Sequence, residues 1–95
     1  MSAPTKPQYP MHVWALTVVR RKAVYRPGVE GEEIQRLIQL LIRNMTEDGY
    51  PPDAIHALLS QAGEIAVLEA QKYGINVARA RFFQSLVHLE LESNQ

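Results

Sequence analysis

The sequence has no cysteine, which excludes disulfide bridges and thiolate-bound metals. It also has no apolar run close to the roughly 20 residues that a membrane-spanning helix needs. The opening residues, MSAPTKPQYP, lack the apolar core of a signal peptide, so we expect a cytoplasmic protein. With 46% hydrophobic and 21% charged residues among 95, the composition is typical of one globular domain.

Patterns of catalytic and metal chemistry are missing too. The stretch PGVEG at 27–31 lacks the lysine and the spacing of a phosphate-binding loop, and the three histidines are too far apart for a metal site. His56, Ser60 and Glu64 recur every four residues, but an exposed helix spreads such side chains outward without an oxyanion site. We therefore expect no enzyme, no cofactor and no metal.

Acidic residues are absent from residues 1–26, which carry five basic ones. The rest of the chain has a net charge of −5, so that the whole is neutral. Such asymmetry is typical of a basic arm that contacts nucleic acid or an acidic partner. The alternative interpretation is that the basic segment lies on the acidic body of its own or a partner subunit.

The N-terminal region divides into two parts. Residues 1–10 hold three prolines spaced by three, as on one side of a polyproline II helix, and we expect a disordered tail. The domain then spans 11–95. Its first segment, about 12–25, is rich in valine and includes Trp14, which favours an extended or β segment. Since both sides of that segment are apolar, a helix stays open as the alternative.

Three helices are predicted after the break RPGVEG, at about 31–47, 52–73 and 76–92. Gly49 followed by two prolines ends the first, and Gly74 ends the second. Gly63 lies inside the second helix, where it either kinks the helix or splits it in two. The fold class is therefore mainly α: a small three-helix domain with an N-terminal extended segment.

The last predicted helix is apolar on two sides, one with Phe82 and the other with Phe83. A helix that is apolar on two sides must be covered on both, and a short chain has little material for that. We therefore expect a homodimer, the commonest assembly of soluble proteins. The predicted interface consists of Trp14, Leu40, Ile42, Phe82, Phe83, Leu86 and Val87.

The stretch around Gly74 resembles the helix-turn-helix family of DNA-binding proteins. The matching positions are Ala70, Gly74, Ile75, Asn76, Ala80 and Phe83. The resemblance covers about 20 residues and implies a reading helix that begins near residue 76. Its implied DNA contacts, with the basic run before residue 23 as an arm, are Asn76, Arg79, Arg81, Arg20, Arg21 and Lys22.

Two functions follow from these patterns. The first is a small non-catalytic interaction or regulatory protein that contacts itself and another, unidentified protein through helical surfaces, away from membranes. The alternative is a DNA-binding regulator that uses residues 74–83.

Overall fold

The computed structural model describes residues 9–93, and this part of the chain forms four helices and no strand. The helices are α1 (Met11–Val19), α2 (Pro27–Glu47), α3 (Pro52–Tyr73) and α4 (Val77–Ser93). The prediction of a mainly helical protein is confirmed. Within the same range, no helix combines the length and the apolar character that crossing a bilayer requires. Most of the predicted disordered tail, residues 1–8, lies outside the described residues.

The predicted extended segment at 12–25 is wrong, because its first half is the helix α1. One side of α1 is buried at the spacing of a helix; its members are Met11, Ala15, Val18 and Val19. The valines favour a strand intrinsically, but burial of this stripe outweighs so weak a preference. The periodicity of this buried stripe could not be recognised in the sequence, because the opposite side of α1 is apolar as well.

The helix α2 begins at Pro27, four residues before the prediction. The proline occupies the first turn, where its missing N–H group costs nothing and its fixed backbone angle suits a helix. The carboxylate of Glu30 accepts a hydrogen bond from the backbone N–H of Arg26, at 3.0 Å, and so caps the new start. The residues RPGVEG are therefore a helix start and not a break.

The helices α3 and α4 form the central pair of the fold. Small residues on α3 allow close approach, and Ala62, Ala66 and Ala70 are fully buried. The predicted bounds 52–73 of α3 are confirmed, and α3 runs without interruption through Gly63. Gly74 ends α3 in the left-handed conformation, with φ of 66°.

The helix α1 packs on α3 and α4, whereas α2 packs mainly on α4. The backbones of α1 and α2 do not approach each other. Tyr9, before α1, donates a hydrogen bond to Asp48 at the end of α2, and this bond raises the pKa of Tyr9 to about 12. Arg21, after α1, pairs with Glu33 near the start of α2. The two helices therefore run in opposite directions.

Candidate functional site

An open groove of about 1180 Å³ separates α1 from α2. We call it the α1–α2 groove. Its lining comes from α1, from the residues just after α1, from the first two thirds of α2 and from one side chain of α4. The lining residues are Val13, Trp14, Leu16, Thr17, Val18, Arg20, Arg21, Val29, Glu30, Glu32, Glu33, Ile34, Arg36, Leu37, Leu40 and Arg79.

The wall contributed by α1 is apolar. The helix has no acidic or basic residue, apart from His12, over its whole length. Its stripe against α3 and α4 is covered, but the side toward the groove is not: Val13 is 49% exposed, and Trp14 and Leu16 are half-buried. A helix that is apolar all round normally has neighbours on all sides. Within residues 9–93, no other element covers this side of α1.

The facing wall of α2 continues this apolar surface. Ile34 is buried at the floor of the groove and Leu37 is half-buried above it. Leu40 is 50% exposed and lies at the groove's edge. Exposed apolar residues that share a concave surface are typical of an interaction site, whereas scattered single ones are ordinary.

Charged side chains gather at one end of the groove, where α1 ends and α2 begins. Arg21 donates two hydrogen bonds to Glu33, at 3.1 and 3.2 Å, and these bonds raise the pKa of Arg21. Within residues 9–93, the one ion-pair contact of Glu32 is with Arg36, one turn along α2, at 3.8 Å, and both side chains are about four-fifths exposed. The guanidinium of Arg20 has no ion-pair partner within residues 9–93.

A buried ion pair lies beneath this charged end. Arg79 of α4 donates to Glu30 of α2 through Nε at 2.7 Å and Nη2 at 3.0 Å. The hydrogen bonds from Arg79 hold the pKa of Glu30 below its usual value, against the opposing effect of burial. Both side chains are nearly inaccessible, so the pair joins α2 to α4 inside the fold.

The same end of α4 also holds the linker between α1 and α2. Arg79 donates to the backbone carbonyls of Arg21 and Ala23, at 3.1 and 2.6 Å. The amide of Asn76 donates to the carbonyls of Val19 and Arg21. The ring of Tyr25 stacks on the guanidinium of Arg79 at 5.6 Å, and burial raises the pKa of this tyrosine. Arg79 of α4 and Asn76, which precedes it, thus hold the linker at this end of the groove.

Three of the six residues predicted to contact DNA are engaged within the chain, and the other three are exposed. Arg79 is 1% exposed, and Asn76 directs its amide into the linker. Arg81 is exposed, but two residues along a helix place it about 200° around from Arg79. Arg20 and Lys22 are exposed, and Arg21 pairs with glutamates. In this conformation α4 does not present Asn76 or Arg79 to a duplex.

The residues predicted to form a dimer interface separate into three groups. Phe83 and Val87 are buried in the core of their own chain, at 1% and 0% exposure, so they cannot contact a partner in this conformation. Phe82 is half-buried, its ring 6.0 Å from that of Tyr25, and it lies against Gly31 of α2. Two more, Leu86 and Ile42, are half-buried beside the core.

Trp14 and Leu40 form the third group, and both line the α1–α2 groove. The second side of α4 is thus covered largely by its own chain, through α2 and the linker. Phe83 and Val87 are covered by their own chain, and the expected homodimer stays a prediction. The open apolar surface lies between α1 and α2, where only these two of the seven predicted residues are found.

The structure adds no further catalytic group beside the His56, Ser60 and Glu64 set within residues 9–93. His56 Nδ1 lies 3.4 Å from Ser60 Oγ on the exposed side of α3, as one helical turn imposes. Among residues 9–93, no group of three His, Cys, Asp or Glu side chains is placed to hold a metal ion. The sequence does contain a signal for the groove. The run Met11–Val19 has no acidic, lysine or arginine residue, so that, once it is placed on a helix, one apolar side is left without a neighbour in the described part of the chain.

No protein-family model matches the chain, and no curated protein or solved structure is significantly similar to it.

Proposed function

We propose that this protein is a small non-catalytic interaction or regulatory protein that binds protein through the α1–α2 groove. The observation that carries the proposal is the uncovered apolar side of α1, which faces Leu37 and Leu40 of α2 across the groove. Burying such surface is the main favourable contribution to protein association.

The charged side chains of the groove favour a role in protein binding over a role as a catalytic acid or base. Glu30 and Arg79 satisfy each other, and the lowered pKa of Glu30 keeps it ionised and weakly basic near neutral pH. Arg21 is held by Glu33 in the same way. These pairs fix the shape of one end of the groove and leave its apolar walls free for a partner.

The DNA-binding alternative receives less support. Its reading helix would need Asn76 and Arg79, and both donate to groups of their own chain. The basic run that ends at Lys22 lies beside Glu32 and Glu33 on the groove. Acidic neighbours oppose the approach of phosphates.

Site-specific photo-crosslinking tests this proposal in the cells that make the protein. A photoreactive residue at Leu40, inside the groove, should form covalent adducts with protein. The matched control is Leu68, which is 64% exposed on α3 and outside the groove. Adducts at position 40 and few at position 68 are the expected result. Equal adducts at both positions, no adducts, or adducts with nucleic acid would contradict it.

A further inference from the structure

We propose that the occupant of the α1–α2 groove is a second copy of this chain. In the resulting two-fold pair, α1 of each copy lies in the groove of the other, and Arg20 of each pairs with Glu32 of the other. The inference rests on the proposed function, since it names the partner of the same surface.

The α1–α2 groove is open and has a volume of about 1180 Å³, so it can receive side chains from a second helix. One side of α1 is packed on α3 and α4 of its own chain, and only its outward side is available for such contact. Every second copy brings the same outward side, which is apolar, with Val13 49% exposed and Trp14 half-buried.

Reciprocal insertion also buries the apolar side of α1 that is exposed in the single chain. The side of α1 that faces Leu37 and Leu40 in its own groove would face the same residues of the partner copy. Among the described residues, the other strongly exposed apolar side chains lie on the linker, on α3, in the turn after α3 and on α4, apart from Val29 of α2, which lines the groove. The groove is therefore the surface where association removes most apolar area from water.

The charged end of the groove is complementary to itself. Arg20 has no partner within residues 9–93, and Glu32 has only the exposed 3.8 Å contact with Arg36. Arg20 and Glu32 lie at the same end, on opposite walls. In a two-fold interface each contact occurs twice, because Arg20 of one copy meets Glu32 of the other and the reverse. One axis therefore creates two such ion pairs.

Sedimentation equilibrium between about 1 and 100 µM tests the pairing. The chain of 10.8 kDa should sediment at twice that mass at the upper end of the range. Leu40→Asp should abolish the dimer, and Leu68→Asp should leave it intact. Circular dichroism and the midpoint of urea unfolding show that each variant is folded.

A charge exchange tests the arrangement within the dimer. Arg20→Glu and Glu32→Arg should each raise the dissociation constant at least about tenfold, because each places like charges together. The double variant R20E/E32R should restore a value near that of the wild type. Lys22→Glu, two residues after Arg20 and outside the groove lining, should have little effect.

Three results would overturn the proposal: a mass of 10.8 kDa at about 100 µM, single exchanges without effect, or a double variant no better than the singles. A monomer that still forms crosslinks from Leu40 to another protein would reject the second copy and keep the proposed function. A monomer without such crosslinks would reject both.

Discussion

The guanidinium of Arg79 lies 2.7 Å from the carboxylate of Glu30, with almost no access to solvent. One side chain of α4 thereby holds the start of α2 and, through two backbone carbonyls, the linker that follows α1. The start of α2 and the linker that joins it to α1 are thus positioned from the same point. The first two predictions concern this ion pair.

Replacing Arg79 with Met should destabilise the protein by about 3 to 5 kcal/mol, because it leaves the Glu30 carboxylate buried without its partner. The free energy of unfolding in urea measures this. Arg81→Met is the matched control on the exposed side of the same helix and should change stability by less than about 0.5 kcal/mol. Similar losses in the two variants would contradict the structural role of Arg79.

The same pair predicts a dependence of stability on pH. The pKa of Glu30 is lower in the folded chain than its usual 4.5, so the folded state favours the carboxylate. Its contribution is complete above pH 4.5 and is lost as the pH falls below that value through the folded pKa. Urea unfolding at stepwise lower pH measures it. Glu30→Gln should be less stable near neutral pH and should flatten this acid-side loss, whereas an unchanged pH profile would contradict the assignment.

Asn76 has a left-handed backbone with φ of 51°, and its amide holds two linker carbonyls. Asn76→Gly should lose the hydrogen bonds but accept the backbone angle. Asn76→Ala should lose the hydrogen bonds and also strain the left-handed backbone, so we expect it to be less stable than Asn76→Gly by about 1 kcal/mol. Thermal and urea unfolding of the two variants compare them directly. Equal stability would mean that the backbone angle is not enforced at this position.

Gly63 lies where α3 meets α4. A Cβ atom there would lie 3.0 Å from Gln84 Cγ and 3.3 Å from the Gln84 Cα, which belongs to the backbone. Gly63→Ala should therefore be destabilising, since an overpacking cost of about 1 to 3 kcal/mol outweighs a helical gain of about 1 kcal/mol. Gly28→Ala, with no atom within 4 Å, should instead stabilise α2 by about 0.4 to 1 kcal/mol. Unfolding free energies of both variants decide this, and a more stable Gly63→Ala would contradict the close contact.

Local signals in the sequence were sufficient for α3 and for the ends of α2 and α4. Gly49 and Gly74 interrupt the apolar periodicity sharply, and the predicted bounds near them agree with the structure within one residue. The helix α1 was missed because its two apolar sides cancel in the periodicity that distinguishes a helix from a strand. The start of α2 was missed because Pro27 is as compatible with a helix start as with a turn.

The candidate site depended on long-range contacts that no local pattern reveals. Arg79 was assigned to DNA because it is basic and near the front of a helix, yet its partner Glu30 is 49 residues away in the sequence. The two apolar sides of α4 were recognised correctly as needing cover. The apolar side of α4 that carries Phe82 is covered by α2 and by the linker that contains Tyr25, and only the three-dimensional structure shows this.

The central claim is that the α1–α2 groove is closed by protein, and that the protein is a second copy. Trp14, the only tryptophan of the chain, lines the groove and reports on it directly. Its fluorescence should shift to shorter wavelength as the protein is concentrated from about 1 to 100 µM, in the wild type and in Leu68→Asp but not in Leu40→Asp. A wild-type spectrum that stays constant over this range would contradict the claim.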